Sequence, residues 1–177
     1  TNGVDFSTDG GLVLMKSRTN SGNLILMDTA RGTDRLLQCP AVTGGGGSSD
    51  VEQQGTSTMF MQSFNTNGFT IGTDAGNYNY NRSGTENVAY SFKKEPKFFD
   101  IVTYTGNGTN QAIAHNLDCE VGMIWVKRRD TAGDWVVYHR GQNGSSPELG
   151  YVRLQVSTGF QTGTSVWNDT APTNTHF

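Results

Sequence analysis

Three histidines, His115, His139 and His176, are the residues of this sequence best suited to acid–base or metal chemistry. They stand far apart, and none belongs to a His-Glu-x-x-His arrangement or to a pair at helical ligand spacing. Zinc sites need clustered His, Cys or carboxylate ligands, so this spacing argues against a metal centre. We expect neither a metal nor a cofactor.

Nucleophilic and phosphate chemistry also lack their usual sequence context. No Gly-x-Ser-x-Gly elbow surrounds any serine, and the glycine run at 44–47 is not followed by Lys-Ser/Thr. The acidic residues are too few and too scattered to suggest paired carboxylates for glycoside hydrolysis. We therefore expect a non-enzymatic protein without catalytic residues.

The segment "DWVVYHR" at 134–140 combines aromatic and polar side chains in a strand-like pattern. Alternation places Trp135 and His139 on one face, and Tyr138 and Arg140 on the other. Trp135 is expected in the core, because Leu24 stands at its place in an earlier, similar segment. Tyr138 and Arg140 then pack on an outer surface.

A second interpretation gives the same segment a binding role. Tyr138, His139 and Arg140 would line a glycan-binding face, since aromatic rings stack on sugars and arginine donates hydrogen bonds to hydroxyls. The loop "VWNDTAPTN" at 166–174 adds Trp167 and Asn168 as further candidates, because loops often hold ligands. A turn with a packed Trp is the alternative for that loop.

Composition limits the remaining classes of protein. The 177 residues carry a formal net charge of -3 and only 16% charged residues, which gives little electrostatic support to nucleic-acid binding. The sequence contains no run of about 18 apolar residues and no signal-peptide pattern, so we expect no membrane insertion. It begins with Thr1, which leaves open that the chain is a fragment. Cys39 and Cys119 are expected to be free, partly buried thiols.

Alternating apolar residues predict short strands throughout. The segments "VAYSFKK" (88–94), "FDIVTYT" (99–105) and "YVRLQVS" (151–157) read as half-buried strands. "GLVLMK" (11–16) and "GMIWVK" (122–127) are apolar on both sides and predict central strands covered on both faces. Turn signals separate these strands, and "TGGGGSSD" (43–50) predicts a flexible surface loop. The fold class is all-β, an antiparallel β-sandwich.

Two segments repeat one plan at a fixed offset, with charged, turn and apolar positions in common. Gly11, Lys16, Arg18 and Gly22 match Gly122, Lys127, Arg129 and Gly133. After a small shift, "RG" at 31–32 matches 140–141, and "RLLQ" at 35–38 resembles "RLQV" at 153–156. This agreement predicts a duplicated unit.

The repeated basic residues have two interpretations. Lys16, Arg18, Lys127 and Arg129 are expected near strand ends, where they satisfy carboxylates or loop carbonyls. The sharper alternative gives them a role in contacts between chains, although surface ion pairs contribute little energy.

The duplication predicts two units, 1–95 and 96–177, with a boundary near 93–97 where Pro96 blocks further pairing. The first unit lacks the opening strand of the second, and the second lacks a counterpart to strand 88–93. Either the polypeptide is cut short or a neighbouring chain supplies the missing edge. We expect a homo-oligomer on the second reading.

The stretches "SFNTNGFTIG", "VAYSFKKEPKFFDIVTYTGNGTNQAIAHNL", "GMIWVKRRDTAGDWVVYHRG" and "VWNDTAPTNTHF" resemble a domain family found in structural proteins of tailed phages and prophages, often in tandem. The resemblance implies laminin-G or concanavalin-like (jelly-roll) β-sandwich units. It also implies a virion protein of the tail, fibre or particle surface, which contacts other virion proteins and is extracellular when released. Attachment to host-surface glycans is the alternative function. The resemblance implies no catalytic residues.

Overall fold

The computed structural model of the chain describes residues 2–40, 51–56, 58–74, 78–163 and 165–177. These residues form an all-β fold of antiparallel sheets, an arrangement consistent with a β-sandwich. The described residues include no helix long and apolar enough to cross a lipid bilayer. The predicted loop at 43–50 lies outside the described residues.

Two larger sheets and one hairpin make up the fold. The first sheet has the order β4-β3-β2-β1-β7 and consists of β1 (Gly11–Ser17), β2 (Leu24–Asp28), β3 (Arg35–Cys39), β4 (Gln53–Gln54) and β7 (Asn87–Lys93). The second sheet has the order β11-β10-β9-β8 and consists of β8 (Met123–Lys127), β9 (Trp135–His139), β10 (Gly150–Arg153) and β11 (Gln161–Thr162). The hairpin pairs β5 (Met61–Asn65) with β6 (Gly68–Ile71), and a 3-10 turn over Pro147–Leu149 precedes β10.

The first sheet is covered on both faces, as the apolar sequence of β1 predicts. On one face Val13, Met15 and Met27 pack against Phe6 and Phe60, which lie outside the sheet. The opposite face carries a second set of buried residues, Leu12, Leu14, Leu26, Leu37 and Cys39. This second face packs against Trp135 of β9, with Leu154 at the margin. The core between the sheets therefore draws residues from both halves of the chain.

The far side of the second sheet has a smaller core. Ile124 and Tyr138, which lie opposite each other on β8 and β9, pack with Val121. Trp167 and Phe177 cover this cluster from the later part of the chain. The C-terminal residues are held in place because Ile113 and Phe177 exchange two backbone hydrogen bonds.

The four-stranded parts of the two sheets share strand order and register. Leu12 lies opposite Asp28 as Met123 lies opposite His139, at the offset seen in the sequence. On the next pair, Leu26 faces Leu37 and Val137 faces Val152. Leu36 faces Gln53, just as Tyr151 faces Gln161.

The register corrects two sequence matches. Val152 stands at the place of Leu37, so aligning 35–38 with 153–156 displaces the third strand by three residues. Arg140 stands at the place of Thr29, because the N–H groups of both residues donate to the equivalent carbonyls of Gly122 and Gly11. The "RG" at 31–32 is therefore not equivalent to the "RG" at 140–141.

Three strand predictions also need correction. Beyond an isolated bridge between Phe99 and Glu95, the predicted strand 99–105 is irregular, and β10 ends at Arg153 rather than continuing to 157. The segment 122–127 forms a strand, but β8 is an edge strand with alternate residues exposed rather than a covered central strand. The exposed residues of β8 are apolar, so its sequence pattern is the same as that of a strand covered on both faces. The segment 88–94 is confirmed as β7.

Candidate interaction surface

The predicted glycan face is only partly at the surface. Tyr138 is 1% exposed, and its ring meets Trp167 edge-to-face with centroids 5.8 Å apart. The indole N–H of Trp167 donates to the carbonyl of Gly150 at 2.9 Å, which fixes this half-buried ring. Burial also raises the pKa of the Tyr138 hydroxyl, with smaller contributions from Glu148 and Glu120. Tyr138 thus belongs to the core of the second sheet, and its ring is not open to a sugar.

The polar candidates lie outside that core. His139 and Arg140 are exposed at the end of β9, and Arg140 donates to the carbonyl of Glu120 at 2.9 Å. Asn168 is exposed and has a left-handed backbone with φ of 52°. Its side-chain oxygen accepts a hydrogen bond from Asn110 at 2.6 Å. His139, Arg140 and Asn168 therefore present polar groups to solvent.

The histidines occupy separate environments. His115 is buried against the C-terminal segment, with its ring stacked on Phe177, whereas His139 and His176 are exposed. Within the described ranges, no group of three or more His, Cys, Asp or Glu side chains is arranged to hold a metal ion.

Trp135 joins the two sheets, as its predicted place in the core requires. The side chain is 4% exposed and packs in the cluster of Leu12, Leu26 and Leu37. Its indole N–H donates to the carbonyl of Gln38 at 2.9 Å, so the polar atom of the ring is satisfied in the buried contact. The Trp135 backbone N–H donates in turn to Gln155.

A buried ionic network provides a second link between the sheets, which the sequence did not reveal. The Arg31 guanidinium contacts Asp28 at 2.5 Å and Glu52 at 3.3 Å, with all three side chains no more than 6% exposed. Glu52 also contacts Arg129, which follows β8, at 3.2 Å, and its backbone N–H donates to the Arg129 carbonyl. In the sequence, Arg31 is distinguished only by its match to Arg140, and nothing there pairs it with Glu52.

The repeated basic residues bind carboxylates or carbonyls near strand ends, which confirms the plainer interpretation. Arg18 contacts Glu86 at 3.3 Å, and Arg129 contacts Glu52. The ammonium groups of Lys16 and Lys127 donate to the carbonyls of Ser17 and Arg128, respectively. Their role in contacts between chains stays a prediction.

Two neighbouring apolar side chains are exposed on the edge strand β8. Met123 is 51% exposed and Trp125 is 36% exposed, and the indole N–H of Trp125 points to the Met123 sulfur at 3.0 Å. Leu12 and Leu14 hold the equivalent positions on β1 but are only 8% and 7% exposed. Phe92 of β7, with Phe99 and Ile101 after it, packs against the cluster that contains these leucines. In the part of the chain that the structure describes, no strand pairs with the outer edge of β8.

Over residues 1–177 the chain matches the family described as domain of unknown function DUF7483, and it belongs to that family. No curated protein and no solved structure matches it.

Proposed function

We propose that this member of the DUF7483 family is a non-enzymatic structural protein of a tailed-phage particle, located in the tail, a fibre or the particle surface. It assembles with other copies of itself and with other virion proteins. The observation that carries the proposal is the pair of four-stranded meanders with one strand order and one register. Repeated β modules of this kind suit a protein whose task is mechanical. The phage setting rests on the resemblance of the sequence.

The same observation supports a finer description of the fold. The chain consists of two related jelly-roll or concanavalin-like units, 1–95 and 96–177, that arose by duplication. The second unit is incomplete at β8, where the first has β7. Trp135 and the Arg31 network hold the units together, so that the pair transmits load as one body.

Localisation on the particle tests the proposal directly. Antiserum against the chain is applied to purified particles of the encoding phage, and bound antibody is located by immunogold electron microscopy. We expect gold at the tail, a fibre or another fixed position on the surface. Particles from a phage that lacks the gene provide the control. Equal labelling of both preparations, together with absence of the chain from particle proteomics, would contradict a virion role.

The non-enzymatic part of the proposal has its own test. The chain is incubated with polysaccharide from the host surface, and new reducing ends are measured over time. We expect no increase above a heat-denatured control. Sustained release of reducing ends would show a depolymerase.

Attachment to host-surface glycans is the second function that we propose. It is favoured by His139, Arg140 and Asn168, which are exposed on the same half of the chain as the half-buried ring of Trp167. Arginine and amide groups donate hydrogen bonds to sugar hydroxyls. A glycan array should show binding that Arg140→Ala weakens and Arg18→Ala does not. Arg18 is a suitable control because it is an exposed arginine just after β1, in the first half of the chain. Absence of binding to any host glycan would leave the scaffold function alone.

A further inference from the structure

The outer edge of β8 is exposed in both backbone and side chains. The Arg140 N–H donates to the Gly122 carbonyl, which sets the alternation of this antiparallel pair. Ile124 and Val126 therefore direct their backbone groups towards β9, whereas Met123 and Trp125 direct theirs away from it. On β1 the equivalent residues, Leu12 and Leu14, pair with Phe92 and Tyr90 of β7. No described strand takes that place beside β8.

Side-chain exposure at this edge adds to the backbone exposure. Met123 and Trp125 present apolar surface along a strand of five residues. Exposed edge strands of this kind pair readily with other strands, and proteins usually protect them by shortening, charge or cover. The edge of β8 shows none of these devices at Met123 or Trp125.

The other edges of the two larger sheets carry features that disfavour strand pairing. The outermost strands β4 and β11 have only two residues each. Beside β7, the side chain of Asn2 donates to the Ser91 hydroxyl at 2.6 Å. Lys93, at the end of β7, forms ion pairs with Asp9 and Glu95. Among the edges of the two larger sheets, β8 is therefore the one best suited to accept a strand.

We propose that β8 pairs antiparallel with β8 of a second copy of this chain, about a two-fold axis at Trp125. This inference deepens the proposed function, because it names the contact through which copies assemble. Most homo-oligomers have such two-fold interfaces, in which one surface patch meets itself. The pairing joins the four-stranded sheet of one copy to the four-stranded sheet of the other, so that they form one continuous sheet.

Side-chain chemistry favours this register. The two Trp125 rings become a cross-strand aromatic pair, and Met123 lies opposite Lys127 of the second copy, so that no lysine faces a lysine directly. The basic residues after β8 have carboxylate partners within the chain, since Arg128 contacts Asp130 and Arg129 contacts Glu52. Their charges therefore oppose the approach of two copies only weakly.

Oligomeric state provides the first test. Sedimentation equilibrium should show a dimer of the full chain, and Trp125→Lys should weaken it by more than about tenfold in Kd, because two lysines would then face each other. Tyr90→Lys is the matched control: Tyr90 is 56% exposed on the edge strand β7, and its replacement should leave the dimer unchanged. Circular dichroism melting checks that both variants fold. A monomeric wild-type chain, or equal loss of the dimer in both variants, would overturn the proposal.

Disulfide trapping tests the register while keeping Trp125. In a Cys119→Ser background, Met123→Cys and Lys127→Cys are made separately and then mixed under mild oxidation. Cα atoms in a hydrogen-bonded cross-strand pair lie about 5.5 Å apart, within reach of a disulfide. Two copies of the same site would lie ~13 Å apart, four residues along the strand. Only the mixture should give the cross-linked dimer.

The cross-linking results separate this proposal from the proposed function. Cross-links within either single variant, or none in the mixture, would reject the β8 pairing at this register. Particles that carry the chain while the mixture gives no cross-link would leave the virion role in place and reject the β8 contact. If the chain is absent from particles but cross-links as expected, the dimer stands and the virion role fails.

Discussion

β1 and β8 are the first strands of two meanders that share strand order and register, but their outer edges have different neighbours. β1 lies between β2 and β7, whereas β8 has β9 on one side and no described strand on the other. The equivalent residues Leu14 and Trp125 are consequently 7% and 36% exposed. A repeated sequence therefore specifies the local hairpin, while the chain around it decides how much of that hairpin is buried.

The largest change in stability should come from replacing Arg31. Arg140 matches it in the sequence but is not structurally equivalent, because Arg31 is buried and Arg140 is exposed. Arg31→Met leaves Asp28 and Glu52 buried with less compensating charge, which should lower the free energy of unfolding by about 3–5 kcal/mol. Arg140→Met removes an exposed side chain and should change it by less than about 0.5 kcal/mol. Urea unfolding followed by tryptophan fluorescence measures both variants. Similar losses of unfolding free energy in the two variants would show that the buried network contributes no more to stability than an exposed arginine does.

Gly11 and Gly122 compare the closed and open edges directly. A Cβ at Gly11 would clash with the Phe92 carbonyl oxygen of β7, whereas a Cβ at Gly122 would meet nothing closer than the Arg140 side chain at 3.7 Å. Gly11→Ala should therefore cost about 1–3 kcal/mol, because backbone must move. Gly122→Ala should be neutral or stabilise by up to about 1 kcal/mol. Thermal unfolding of the two variants, at a concentration at which the chain is monomeric, gives the comparison, and an equal loss in both would mean that another part of the same chain crowds Gly122.

Asp100 lies in the segment that follows β7 in the chain, where its neighbours Phe99 and Ile101 pack against the first sheet. Its hydrogen bonds hold this segment in place. Burial alone raises the pKa of Asp100, but hydrogen bonds from the Asn116 N–H, the Lys94 ammonium and the Ile101 N–H outweigh it and lower the pKa below 3.8. A lowered folded-state pKa contributes stability that is present above the unfolded value and is lost as the pH falls through the folded value. Wild type should therefore lose this contribution below about pH 4.

Asp100→Asn removes that acid-sensitive contribution. The variant should be less stable than wild type by about 1–2 kcal/mol at pH 7, because the charged hydrogen bond from Lys94 is lost. The difference should shrink as the pH falls from 5 to 2, roughly across the range in which carboxylates are protonated. Urea unfolding at several pH values measures it. A difference that does not change with pH would exclude Asp100 as its source, and Asp118→Asn serves as a control on the same connection.

The sequence predicted the hairpins well because their apolar alternation and turns are local properties. It placed Trp135 in the core and β7 at 87–93 within a residue. It failed for 99–105, where alternation exists but only Phe99 finds a backbone bridge partner, Glu95. It also failed for β8, since a strand that is apolar on both sides reads alike whether it is central or an uncovered edge.

The candidate site depended on contacts that no spacing rule contains. Tyr138 looked like a binding residue because an aromatic, a histidine and an arginine follow one another. Its burial depends on Trp167 arriving from a later segment of the chain. The Arg31 network likewise joins residues from β2, the segment before β4 and the turn after β8. Pairing of this kind appears only when the topology is known.

The smallest expected effect is a difference in thiol reactivity between the core that lies between the two sheets and the connection that precedes the second sheet. Cys39 lies in the core shared by both sheets, at the position that Leu154 takes in the second meander. Cys119 is half-buried in the connection before β8. Both thiols are free. Burial raises the pKa of the Cys39 thiol to about 11, so its reactive thiolate is scarce at pH 8. Ellman's reagent should therefore label Cys119 in the native protein and reach Cys39 only when the protein unfolds. Adding Arg31→Met should speed labelling of Cys39 more than that of Cys119, because the lost network lies next to β3. Fast labelling of Cys39 in the native wild type would mean that the two sheets separate readily, and the shared core would then not hold them together.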